Sequence, residues 1–231
     1  MKKNLLFISF AFLFFFGTTA PAQERYVKPF DEGPKDASFS AFRSRLIAAA
    51  ERKDIKYIIN VLDPKILSSY GGHEGVKLFR EYWKLDQKNS EFWEEFLIVM
   101  KNGGRFIGEG RNRMSFFAAP YLFNDMPDDL DMFEYHAIFG NNVNVREQAN
   151  MNAKVLTRLS YNIVKTDREA TIHRKTGPGE WDIKADWYKI ESLGGVKGWV
   201  KAEFVRSPID YRAGFEKKRG VWKMVYFVAG D

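Results

Sequence analysis

Apolar residues recur at helical spacing through the first half of the chain. Phe39, Phe42, Leu46, Ala49 and Ala50 fall on one stripe, which predicts a helix, and order is expected to begin near Ser38. Ile55, Ile58, Ile59 and Leu62 repeat the pattern behind Asp54, a suitable N-cap, and Pro64 is expected to stop that second helix. Residues 65–70 read as a short strand. Gly71-Gly72 then turns the chain into a third helix carrying Val76, Phe79, Tyr82 and Trp83. A fourth helix is expected from Ser90. Glu91, Glu94 and Glu95 occupy its first turns, where the helix dipole favours negative charge, Phe92, Trp93, Phe96, Leu97 and Met100 form its stripe, and Gly103-Gly104 ends it. Residues 113–118 read as a strand closing at Pro120.

After Gly140 the period changes from about 3.6 to 2. Val143 and Val145 alternate with polar neighbours, residues 155–159 do the same, Ile163-Val164 follows, and residues 187–190 and 198–200 supply two more short strands. Short strands with Gly- and Asn-marked turns imply a small barrel, whose expected core is Val143, Val145, Leu156, Leu159, Trp187 and Trp199. Residues 166–186, with Gly177-Pro178-Gly179, read as a long loop. Residues 211–216 and 221–228 flank Lys217-Lys218-Arg219-Gly220 and make a β-hairpin with a basic turn. The barrel does not need this hairpin, whereas the helix-rich unit is short of strands. The predicted fold class is therefore α+β: a helix-rich N-terminal domain completed by a C-terminal β-hairpin, plus a small all-β barrel inserted near the chain end. The boundaries are 23–37 for an extended lead-in with Pro29, Gly33 and Pro34, 38–140 for the helix-rich domain, 141–206 for the barrel and 207–231 for the hairpin.

Within the barrel, Asn142-Val143-Asn144-Val145-Arg146, then residues 154–159, then Trp187-Tyr188-Lys189-Ile190, then Gly198-Trp199-Val200 and Phe204-Val205, stand in an order that resembles a bacterial Src-homology-3-type (SH3-like) domain over about residues 136–206. The proline common in the first loop of such domains is missing from residues 147–150, and Asn162 stands where they usually carry glycine. The resemblance implies an SH3-like barrel able to dock extended peptides. Tyr161, Trp181 and Tyr188, at strand or loop edges, are candidates for a shallow aromatic ligand groove, and Arg146 for contact with an anion.

Residues 1–22 are an address rather than a structure. Lys2 and Lys3 precede an apolar run over residues 5–16, broken by Ser9, and Ala20-Pro21-Ala22 supplies the small residues of a cleavage site. The run is shorter than the ~20 residues needed to cross a bilayer. A secretory signal peptide cleaved near Ala22 predicts a periplasmic or secreted protein with no integral membrane span in the mature chain. The absence of Cys excludes a disulfide scaffold and a thiol nucleophile, and leaves the core to hold the fold. Residues 23–140 hold 17 basic and 19 acidic residues, against 17 and 11 in residues 141–231. In an exported protein a basic C-terminal part favours an envelope partner over nucleic acid, with Lys217, Lys218 and Arg219 as candidate contacts for an anionic polymer.

Catalytic patterns are weak. His73, His136 and His173 are too scattered for a local zinc motif, Ser68 and Ser69 lack the glycine of a nucleophile elbow, and no glycine-rich loop has the spacing of a phosphate cradle. No cofactor or metal is expected. The reading is a non-catalytic binding or scaffold protein whose barrel docks a wall peptide, glycan or envelope protein. The alternative is an envelope hydrolase with a pocket in the 38–140 domain, for which His73, Glu74 and Glu95 would have to converge.

Overall fold

The computed structural model describes residues 23–230, apart from positions 70, 73, 109–113 and 177–182. The signal-peptide segment and Trp181 lie outside the described residues. In the helix-rich unit, α1 (Ala37–Glu51) begins at Asp36, whose carboxylate accepts from the Phe39 amide at 2.9 Å. Asp54 caps α2 (Ile55–Val61) in the same way through the Tyr57 amide. The helix ends at Val61, before Pro64 is reached. Strand β1 (Leu62–Leu67) runs through that proline, which lacks an amide to donate and is tolerated because β1 is the edge strand of its sheet, next to β12 of the C-terminal hairpin. Helices α3 (Val76–Tyr82) and α4 (Phe92–Lys101) follow, then β2 (Arg105–Phe106), β3 (Phe116–Ala119) and α5 (Tyr121–Asp125).

The hairpin of β11 (Arg212–Lys218) and β12 (Val221–Val228) completes this unit. The five-stranded sheet has the order β1-β12-β11-β3-β2, so the two last strands of the chain lie at its centre, with β1 parallel to β12 and the other pairs antiparallel. The turn is Arg219-Gly220, both at positive φ, as a two-residue hairpin loop requires. Phe39 of α1 sits at the core's centre, its ring 4.2 Å from Phe117 of β3 and 4.9 Å from Trp222 of β12. A second aromatic group, Trp83, Phe92, Phe96 and Phe227, joins α3 and α4 to β12. The basic turn is tied inward: Lys217 donates to Ser38 at 2.8 Å and Lys218 to Asp63 at 2.7 Å. The two lysines expected to face an anionic polymer are thus engaged with the domain's own acidic and hydroxyl groups.

The seven-stranded sheet runs β10-β4-β7-β8-β9-β5-β6: β4 (Tyr135–Ile138), β5 (Val143–Arg146), β6 (Val155–Leu159), β7 (Ile163–Lys175), β8 (Ile183–Ser192), β9 (Lys197–Lys201) and β10 (Val205–Arg206). Its core is Ile138, Val143, Val145, Leu159, Val164, Ile190, Val200 and Val205. Three expectations are corrected. Leu156 is 46% exposed on an edge strand, and Trp199 is only half-buried while its neighbour Val200 is fully buried. Successive strand residues face opposite ways, and Val200 is the one that faces in. Within the stretch expected to be a long loop, residues 166–186, the described residues instead form a β-ribbon, with Ile172 opposite Trp187 and Lys175 opposite Ile183. Asn162 does not take the positive φ of a glycine position; Tyr161 does, at +60°, while the buried Asn162 amide accepts from the Ser160 amide and donates to Glu24.

The lead-in joins the two units. The amide of Val27 donates to the Tyr161 carbonyl at 2.9 Å, Arg25 pairs with Asp129, and Glu24 accepts from Ser192 and Asn162. Further on, Glu32, only 3% exposed, accepts from the Phe106 amide and pairs with Lys35. Val27, Tyr121, Leu122, Met126, Ala137 and Ile163 form the small apolar cluster at this joint.

Candidate functional site

Strand β8 separates two concavities. Trp187 and Tyr188 are consecutive on it and therefore face opposite sides. On the Trp187 side, a small hollow of about 140 Å³ is lined by Asn141, Asn142, Asn144, Arg146, Met151 and Phe204, among others. Trp187 forms its floor, 5% exposed, under the Lys201 ammonium at 5.2 Å. Lys201 is held in place by Asp186 at 2.6 Å. Arg146 donates to the Ala153 carbonyl at 2.9 Å, which fixes it across the base of the loop that carries Met151. Met151 and Phe204 stand 61% and 40% exposed on the rim. Phe204 is the last residue of a single 3-10 turn (Ala202–Phe204) between β9 and β10. The charged side chains lining this hollow are both cations, beside apolar and amide groups, a composition suited to an extended ligand bearing a carboxylate or carbonyl oxygens.

On the Tyr188 side, a larger cleft of about 560 Å³ lies between the barrel and helix α4. One wall is the first turns of α4, with Glu91, Glu94 and Glu95; the other carries Lys184 and Arg174 from the ribbon and Arg206 from β10. Glu95 accepts from Arg206 at 2.7 Å and Glu91 pairs with Lys184 at 2.9 Å. Arg206 also donates to the Tyr211 carbonyl. The ring of Tyr188 lies 5.8 Å from His136, and burial pushes its phenol pKa up. Burial likewise pushes Tyr211 up, reinforced by its hydroxyl contact with Tyr82 at 2.9 Å. His136 is held neutral: desolvation lowers its pKa to about 4, and its Nδ1 shares a hydrogen bond with the Thr166 hydroxyl at 3.2 Å.

The three described residues among those singled out in the sequence, Arg146, Tyr188 and Tyr161, do not share one groove. Arg146 lines the barrel hollow and Tyr188 the cleft on the opposite side of β8. Tyr161 occupies a tight turn beneath the lead-in, its carbonyl bound by the Val27 amide, and Trp181 lies outside the described residues. Glu74 bridges to Leu67 at the end of β1, Glu95 is bonded to Arg206, and His73 lies outside the described residues. Phe204, Met151, Trp187 and Lys201 line the hollow without any pattern in the sequence that marks them as site residues. Phe204 was visible as an anchor of the resemblance, but only the 3-10 turn shows that its ring stays at the surface. Among the described residues, no group of three or more His, Asp or Glu is placed to hold a metal ion, and no helix is long and apolar enough to cross a membrane.

A curled antiparallel sheet closed by a 3-10 turn before its last strand defines a small barrel of SH3 type. Residues 141–206 match the model of the bacterial SH3 domain family, and this segment is such a domain. A search of the curated proteins finds no match. Among solved structures, an NTF2-like protein with a cystatin-like fold from Novosphingobium aromaticivorans is 10% identical, with 85% of this chain and 90% of that chain covered, at a TM-score of 0.24. That score is too low to establish a shared topology.

Proposed function

We propose that the protein is an exported, non-catalytic binding or scaffold protein whose SH3 domain docks a cell-envelope ligand, a wall peptide, glycan or envelope protein. One observation carries this reading: every residue lining the barrel hollow falls within the matched segment 141–206. The ligand meets Phe204 and Met151 as apolar contacts and Arg146 and Lys201 as cationic ones. The helix-rich domain supports the reading as a scaffold, since the lead-in, β4 and the connection into β11 all join it to the barrel.

Co-sedimentation of residues 23–231 with isolated peptidoglycan, and a pull-down from envelope extract, test it. Binding is expected to one of them, weakened about tenfold by Phe204→Ala, the effect of losing one anchor of ~1.4 kcal/mol. Arg146→Ala is expected to weaken it as well, by a larger factor at low salt than at high salt. A folded chain that binds neither material, or that binds equally well with both variants, overturns the proposal.

A further inference from the structure

The cleft between α4 and the barrel holds two carboxylates and two buried N–H groups without partners among the described residues. Glu91 and Glu95 are paired with Lys184 and Arg206, but the exposed carboxylates of Glu94 and Glu203, which also line the cleft, have no partner among the described residues. Two other lining side chains carry buried N–H groups without an acceptor: Nε1 of Trp83, 6% exposed, and Nε of Arg206, 7% exposed. Buried donors are nearly always satisfied, and one that is not calls for a water, an ion or a ligand to supply the acceptor. The half-buried rings of Tyr188 and Tyr211 add aromatic surface beside these groups. A volume of about 560 Å³ admits a ligand of one to a few residues.

We propose that this cleft binds a small zwitterion, a free amino acid or a short peptide with a free ammonium and a free carboxylate. The ammonium faces Glu94 and Glu203, and the carboxylate turns to Arg206 and Trp83. The site is distinct from the barrel hollow, draws on α4 as well as on the SH3 domain, and does not depend on that hollow having an envelope ligand.

Calorimetric titration of residues 23–231 with alanine, tri-alanine, N-acetyl-tri-alanine, tri-alanine amide and inorganic phosphate tests the inference. Alanine or tri-alanine is expected to bind, and whichever binds shows whether the cleft takes one residue or several. Acetylation and amidation are each expected to weaken tri-alanine about tenfold or more. Glu94→Gln, which removes no ion pair of the fold, is expected to weaken binding while leaving the melting temperature unchanged. Four results overturn the inference: no heat from alanine or tri-alanine into the millimolar range, capped peptides binding as well as free ones, binding of phosphate alone, or Glu94→Gln binding like the wild type.

Discussion

Trp199 and Val200 are adjacent in β9, yet only Val200 is sealed from solvent. A charge placed at the inward position would sit unpaired among Val143, Val145 and Ile190, whereas at the outward position it reaches water. Val200→Lys is therefore expected to unfold the barrel, and Trp199→Lys to leave a cooperative melt at a somewhat lower temperature. Circular dichroism melts check this, and the reverse order would show that the register is wrong. His136 offers a second test. Its pKa is lowered from the ordinary 6.5 to about 4 by burial, so between these values the unfolded chain binds a proton that the folded chain does not. Its contribution is complete above pH 6.5 and is lost as pH falls towards 4, on the order of 3 kcal/mol in all. Urea denaturation at pH 7.5 and 4.5 is expected to show that loss in the wild type and a smaller one in His136→Gln. An equal loss in both would place the pH sensitivity elsewhere.

Among the elements, the lead-in depends on a glycine pair. Gly104 donates to the Phe30 carbonyl and accepts from the Glu32 amide, and a Cβ at Gly104 would stand 2.2 Å from the Ala118 carbonyl oxygen. Gly104→Ala is expected to cost about 1–3 kcal/mol and to speed hydrogen exchange at the Glu32 and Phe106 amides. Unchanged exchange would mean that the lead-in is not held there. The pair was legible in the sequence only as the end of α4; its second task needs Phe30 and Glu32, partners far back in the chain that no local pattern connects to it. The helices were legible because each buries one stripe, and Asp54 marked a cap by residue type alone. The ribbon of β7 and β8 was not, since its outer half is solvated on both faces: Arg168, Glu169, His173, Arg174 and Lys175 show no period of 2. Its irregular stretch is shaped by Asp167, which accepts from the Ala170 amide through its carboxylate and from the Thr171 hydroxyl through its carbonyl. Trp199 and Val200 are both apolar, so the sequence left their facing undecided.

At the level of the whole molecule, the hairpin at the chain end lies at the centre of one sheet while the inserted barrel forms the other. The candidate residues scattered for the same reason. Sequence places Tyr161, Tyr188 and Arg146 on barrel edges, but which edge faces α4, which faces the lead-in and which faces solvent is set by packing between the two units. In the proposed function the SH3 domain binds its ligand through the hollow floored by Trp187. Hydrogen exchange of residues 23–231, with and without solubilised peptidoglycan fragments or the captured envelope protein, tests it most directly. Slower exchange is predicted in residues 147–154 and in the turn Ala202–Phe204, which carry Met151 and Phe204. Slowing confined to the helix-rich domain, with those two segments unchanged, would contradict it.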